Sequence, residues 1–337
     1  MAILVTGGAG FIGSHTCVEL LRAGEELVLL DNFVNSSPSI PKCIEGLADK
    51  SFSTYTMDIL NQEGLRRVFE RENIESVIHF AGLKAVGESV EIPMDYYINN
   101  VTGTLNLCRI MAEFGCKRMV FSSSATVYGT NDNVPFREEY ETSATNPYGM
   151  TKVMIERILQ DIAYSDKDWS IALLRYFNPI GAHPSGLLGE RPNGIPNNLL
   201  PYVAQVAVGK LSQVSVYGND YPTPDGTGVR DYLHVVDLAL GHIKALNYIR
   251  AHNGAEPINL GTGKGYSVLD IIKAFEKASG KPIPYQISAR REGDIATCYA
   301  DPAKAERLLG WRAELSLDEM CRDSWNFIQN CSKEVSS

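Results

Sequence analysis

The apolar run Ala2-Ile3-Leu4-Val5-Thr6 passes without a spacer into Gly7-Gly8-Ala9-Gly10-Phe11-Ile12-Gly13, and that junction restricts the fold more than any other part of the chain. A short apolar run bounded by glycines suits a strand buried on both faces. Short apolar runs then alternate with longer helical patterns through the first half, as βαβ units and a parallel sheet require. The spacing predicts strands near 2–6, 27–30, 52–56, 76–80, 118–122 and 171–176. Helices are predicted near 12–23, 62–72, 94–114 and 148–164. Six such strands wound on both faces make an α/β fold of Rossmann type, a doubly wound parallel sheet whose ligands sit beyond the C-terminal ends of its strands.

After Phe177 the texture changes to Pro-, Gly- and Asn-rich stretches at 178–201 and 218–228, the mark of a loop-rich lobe. A helix over 234–249 and a strand over 257–260 follow, then three amphipathic helical patterns at 267–279, 302–309 and 316–329. The expected division is a nucleotide-binding domain over 1–177, with 234–260 returning to it. A smaller mixed α/β substrate-binding lobe is expected from 178–233 and 261–337. No internal repeat or low-complexity linker interrupts this order.

With 31 Lys and Arg against 40 Asp and Glu, the net charge is −9 and no basic run exceeds two residues. That balance argues against nucleic acid or an anionic membrane as partner, and an anionic ligand must be met by a few placed cations. No apolar stretch approaches the length of a membrane span or signal peptide. The seven cysteines are scattered and form no C-x-x-C pair, and the six histidines form no H-E-x-x-H. The expectation is a cytoplasmic protein without disulfides or bound metal.

In the G-x-x-G-x-x-G turn, Gly7, Gly10 and Gly13 let the backbone approach a pyrophosphate, while the following helix offers unpaired N–H groups. Asp31 ends the second predicted strand, 18 residues past Gly13, where a carboxylate can accept both adenosine ribose hydroxyls. The same carboxylate would repel a 2′-phosphate, which favours NAD over NADP. Two further post-strand loops, Asp58-Ile59 and Phe80-Ala81-Gly82-Leu83-Lys84, lie where adenine and nicotinamide ribose contacts are needed.

Tyr148 to Lys152 is the chain's only Tyr-x-x-x-Lys, a spacing that puts a phenol and an ammonium on one helix face. Pro147 suits the first helical turn. Ser124 closes the preceding strand, and consecutive loops of such a sheet meet over the nicotinamide. A phenol with pKa near 10 must fall substantially to act as a base near neutral pH, and Lys152 together with a cationic nicotinamide would supply the field. Ser124 can pass the proton or hold a substrate hydroxyl.

These features resemble the extended short-chain dehydrogenase/reductase superfamily. Within it, several segments resemble the UDP-glucose 4-epimerase family: His79 to Ser89, Ser122 to Gly129, Leu174 to Pro179, Gly194 to Leu199, Gly226 to Tyr232 and Arg290-Arg291-Glu292-Gly293-Asp294. The resemblance implies NAD lined by Gly7, Gly10, Phe11, Ile12, Gly13, Asp31, Asn32, Asn35, Ser36, Asp58, Ile59, Phe80, Ala81, Gly82, Lys84, Asn99, Ser124, Tyr148, Lys152 and Phe177. It implies a UDP-sugar held by Lys84, Ser124, Tyr148, Asn178, Asn198, Leu199, Ser215, Val216, Tyr217, Arg230, Arg291 and Asp294, with the two arginines on the diphosphate. Arginine suits phosphate oxygens better than lysine.

The implied reaction is NAD-dependent 4-epimerisation of UDP-hexoses through a 4-keto sugar, with Tyr148 as base, Ser124 and Lys152 assisting, and NAD as transient hydride acceptor in galactose metabolism. Family dehydratases carry an acidic residue beside the Ser or Thr; here Ala125 and Thr126 follow Ser124, which disfavours elimination of water. In family members limited to UDP-glucose and UDP-galactose, a Tyr commonly walls the sugar four or five residues after the Arg-Arg-Glu-Gly-Asp motif. Here that position is Cys298, leaving room for an N-acetyl group at carbon 2; a register shift of one residue would put Tyr299 there instead. The patterns over 94–114 and 148–164 resemble helices that pair family subunits, implying a homodimer.

Overall fold

Strand β1 (Ala2–Thr6) is buried along its whole length, because helices cover both faces of the sheet it enters. Its side chains alternate between two cores. Ile3 and Val5 face one core with Leu29, Ile78, Val120 and Leu174, whereas Leu4 faces the other with Val28, Val77, Phe121 and Leu173. The computed structural model describes residues 1–192, 194–291 and 293–334, apart from the side chains of 332–334. Glu292 of the arginine motif therefore lies outside the described residues.

The other central strands are β2 (Glu26–Asp31), β3 (Ser53–Thr56), β4 (Ile74–His79), β5 (Arg118–Ser124) and β6 (Ser170–Tyr176). They join a seventh, Gly254–Leu260, in the order Gly254–Leu260, β6, β5, β4, β1, β2, β3, and every pairing is parallel. The order reverses beside β1, which places the switch point at the end of the glycine turn. Helix α1 (Phe11–Arg22) and helix Val235–Ala251 pack on one face; helices Gln62–Arg71, Gly103–Glu113 and Pro147–Ser165 pack on the other. No described helix is long and apolar enough to cross a membrane.

The helix predicted over 94–114 is not continuous. It runs as Pro93–Tyr96, a π-helical turn Tyr97–Thr102, and Gly103–Glu113. The widened turn is fixed from outside: the Asn100 amide bonds the backbone of Leu83 in both directions, at 2.8 and 3.0 Å, and donates to Thr151 Oγ1 at 3.1 Å. π-turns of this kind often mark functional sites. Helices Ile40–Ala48, Val86–Glu91 and Leu199–Ala207 were not legible in the hydrophobic pattern.

The smaller lobe has its own core, in which Val203, Val214, Val216, Ile271, Phe275 and Met320 meet. Its strands are short: Val214–Tyr217 pairs with Tyr285–Ser288, and Val229–Arg230 lies between Tyr266–Ser267 and Thr297–Cys298. A further small cluster of Val127, Tyr128, Phe136, Phe177 and Ala300 fills the space beyond the ends of β5 and β6.

Candidate active site

The glycines of the first turn are required by contact. Gly7 has φ +68°, and a Cβ there would lie 2.6 Å from the backbone nitrogen of Ala81. A Cβ on Gly13 would meet the Gly7 carbonyl oxygen at 2.4 Å. No described side chain caps α1 at Gly10, so its first-turn N–H groups remain for an anion. Asp31, buried at the end of β2, accepts from the backbone of Ala9 at 2.9 Å and of Phe33 at 2.8 Å, and from Ser36 Oγ at 3.0 Å. Those donors fix its orientation while leaving part of its roughly four acceptor sites for a ribose. Asn32 reaches Asp58 at 2.9 Å, drawing the loops after β2 and β3 together. Ile59 is buried against Gly103, and Asn99 donates to Asn100 at 2.9 Å beside the loop that carries Gly82 and Lys84. Asn35 is exposed. This cradle, closed to any Cβ and open at a helix N-terminus, fits a dinucleotide.

Helix Pro147–Ser165 starts with Asn146 as cap, its Oδ1 accepting from Gly149 N at 2.9 Å. One turn in, Lys152 is buried and donates to the Ser122 carbonyl at 2.6 Å, with its Nζ 5.9 Å from the centre of the Tyr148 ring. Ser124 ends β5, and its Oγ accepts from Thr126 N at 3.2 Å in the short turn Ala125–Val127. The three predicted catalytic residues are thus brought to one place. Burial pushes the Tyr148 phenol up, opposed by its hydrogen bond with Ser124. Burial pushes the Lys152 ammonium down to about 8, opposed by Glu156. The chain's own groups therefore hold Tyr148 protonated, and the fall expected from the sequence has to come from a bound cation.

On the lobe, Arg230 and Arg291 converge on one carboxylate. Arg291 Nε lies 2.9 Å and Arg230 Nη2 3.7 Å from Asp294, leaving the trio one net positive charge for an anion. Tyr217 lies under Arg291, with 4.8 Å from the guanidinium to the ring centre. Arg290 turns away to Asp220. Val216 is buried in the lobe core, so that position offers only backbone to a ligand, while Ser215 and Tyr217 alternate to the other face. Asn178 starts a short strand next to Phe177, and Leu199 begins its helix directly after Asn198.

Lys84 and Asn198, from distant parts of the chain, both reach Glu190 Oε1 at 3.3 Å. Cys298 packs with Ala125 and Ile295 against the cluster containing Phe177, and burial pushes its thiol up to about 12. The Tyr299 ring runs to the other side of the strand, where its Cδ1 would lie 3.7 Å from a Cβ on Gly265. Asn100 and Glu190 were not singled out in the sequence. Asn100 adjoins Asn99 but is set apart only by the π-turn, and Glu190 carries no local signal at all.

A family model described as GDP-mannose 4,6 dehydratase matches residues 4–324. A UDP-glucose 4-epimerase of Bacillus subtilis (strain 168) is 63% identical over 327 residues, which are 97% of this chain and 96% of that protein. The chain belongs to the UDP-glucose 4-epimerase family. Solved members of the family superpose closely. One from Bifidobacterium longum, in complex with NAD+ and UDP, is 55% identical with TM-score 0.94 over 98% of each chain. One from Stenotrophomonas maltophila, with bound NAD and formylated UDP-arabinopyranose, is 47% identical with TM-score 0.97 over 99% of each chain. The fold is thus that of UDP-glucose 4-epimerases.

Proposed function

We infer that this protein is an NAD-dependent enzyme that interconverts UDP-glucose and UDP-galactose by inverting carbon 4 through a 4-keto sugar. The observation that carries the catalytic assignment is the meeting of Ser124 with one face of helix Pro147–Ser165, where Tyr148 and Lys152 stand a turn apart. NAD, when bound, supplies the hydride acceptor and donor that carbon 4 requires. Gly7, Gly10, Gly13 and Asp31 hold it at the pyrophosphate and ribose. Tyr148 takes the proton of the carbon-4 hydroxyl, directly or through Ser124, and returns it to the inverted alcohol. Lys152 stabilises the phenolate.

Arg230 and Arg291 clamp the diphosphate, so binding energy sits away from the reacting carbon. The sugar ring, less tightly held, can present either face. Ala125 and Thr126 put no acid beside Ser124, which supports epimerisation over elimination.

Cys298 is assigned to the sugar-pocket wall, so UDP-N-acetylglucosamine and UDP-N-acetylgalactosamine are substrates as well. Its packing against the cluster that contains Phe177, with Tyr299 turned toward Gly265, supports this reading. Residues 1–177 with 234–260 are assigned to NAD, and 178–233 with 261–337 to the UDP-sugar. A homodimer is assigned to the segments 94–114 and 148–164, which expose Met94 at 73%, Ile98 at 47%, Leu105 at 43% and Met154 at 41%. Free thiols at Cys17, Cys108, Cys116, Cys298 and Cys321 suit a reducing cytoplasm.

Proton NMR of the anomeric signals, with UDP-glucose and UDP-N-acetylglucosamine incubated separately with the purified protein, tests both substrate assignments. Conversion of both is expected. Conversion of UDP-glucose alone removes the wide pocket, and conversion of neither after NAD is supplied removes the epimerase.

A further inference from the structure

Beneath the candidate catalytic set lies a buried ion pair. Glu156 and Arg175 are each 3% exposed and 2.6 Å apart. Glu156 stands one turn after Lys152 on the same helix and accepts from Ser123 Oγ at 2.5 Å, between Ser122 and Ser124. Arg175, on β6, grips it through Nε at 3.0 and 3.2 Å and through Nη2. The outer Nη1 donates to Tyr128 OH at 3.2 Å and to the Glu138 carbonyl at 3.1 Å. The pair therefore ties the helix carrying Tyr148 and Lys152 to the end of β5 and to β6.

Burying both ions is costly, and hydrophobic replacements are often at least as stable. Stability alone gives little reason to keep this arrangement.

We propose that Glu156 and Arg175 are positioning residues that hold Lys152 against Ser124 and Tyr148 and set the local charge Lys152 experiences. The inference rests on the assignment of Lys152 to the catalytic set. The groups facing Lys152 are few. Tyr148 and Glu156 share its helix, and neutral His79 ends β4, with Lys152 among the causes of its lowered pKa. Arg175 on β6 reaches this group through Glu156, Tyr176 through Ser122, and Tyr96 approaches from beside Tyr148. Glu156 is the sole carboxylate in this set, so it is what favours the ammonium against burial.

The test compares the pH dependence of kcat and KM for UDP-galactose conversion in wild type, Glu156→Gln, Arg175→Lys, Glu156→Gln/Arg175→Met and Lys152→Met. Glutamine keeps the bond to Ser123 but removes the negative charge one turn from Lys152 and strands the buried Arg175 charge. The expected result for Glu156→Gln is a fall in kcat of about tenfold, KM within about twofold, and an alkaline limb moved about one unit toward acid. Arg175→Lys keeps the charge and should keep the limb. The double variant strands no charge and serves if Glu156→Gln does not fold; its limb should also lie acid of wild type. An unmoved limb in a folded Glu156→Gln protein, or in the double variant, overturns the proposal. Lys152→Met separates the two assignments: if it keeps both turnover and limb, the role of Lys152 itself fails and this proposal with it.

Discussion

Tyr148 is the residue to which the proposed chemistry assigns the proton transfer, and its surroundings do not ionise it. Burial raises its pKa and Ser124 only partly opposes this, so on the proposed mechanism ionisation needs the field of a bound cationic nicotinamide in addition to Lys152. Tyr148→Phe should retain fold and NAD content while turnover falls by about a thousandfold or more, consistent with loss of a base on top of lost orientation. Near-normal turnover, measured by coupled assay of UDP-galactose conversion, would remove Tyr148 as the base. Cys298 supports a second prediction at this scale. Cys298→Tyr restores bulk against the cluster of Ala125 and Phe177, so UDP-N-acetylglucosamine conversion should fall at least about tenfold while UDP-glucose conversion changes little. Equal losses on both substrates would show that position 298 does not line the carbon-2 side. Arrangements set by chain-local geometry were readable in advance: Gly7 and Gly13 in a turn, Tyr148 and Lys152 on one helix face. Glu190 was not, because its partners Lys84 and Asn198 come from distant segments and meet only in the fold.

Among the elements, the β1–turn–α1 unit has the tightest tolerance. Gly13→Ala would push a methyl group into the Gly7 carbonyl, at 2.4 Å, so either the turn or the helix must move and the proposed pyrophosphate cradle with it. The expected outcome is protein that folds but purifies with NAD content reduced at least about tenfold, read by absorbance and by enzymatic assay of released NAD. Full NAD content would mean that the turn does not carry the pyrophosphate. The strands of the large sheet were legible because burial on both faces leaves continuous apolar runs in β1, β2, β5 and β6. The broken helix over 93–113 was not, since the hydrophobic period continues through it. The π-turn is held by side-chain bonds from Asn100 to Leu83 and Thr151, which belong to the loop after β4 and to helix Pro147–Ser165, so the local sequence does not announce it. The short strands of the lobe were equally hidden: two- to four-residue pairings such as Val229–Arg230 with Thr297–Cys298 carry almost no periodic signal.

For the whole molecule, the buried histidines couple folding to pH. Burial pushes His15 and His79 down to about 3 and His183 and His242 down to about 4. Each is neutral in the folded chain and takes up a proton near pH 6.5 when unfolded. Their contribution is therefore intact above about pH 6.5 and is lost as the pH falls from there toward 4 and 3, each group contributing up to about 1.4 kcal/mol per pH unit. Chemical denaturation should show stability falling steeply below pH 6.5, and His242→Leu should flatten that fall; an unchanged slope in that variant would contradict the assignment. Lys84 and Asn198 meet at Glu190, whereas Cys298 packs against the separate cluster containing Phe177, and the epimerase account rests on what happens at carbon 4. UDP-glucose carrying deuterium on carbon 4 tests it most directly, with product analysed by NMR and mass spectrometry after equilibration in ordinary water. The account predicts UDP-galactose with the label retained on carbon 4, since the hydride leaves and returns without exchanging with solvent. Loss of the label to water would contradict a hydride route and with it the central role assigned to the dinucleotide site.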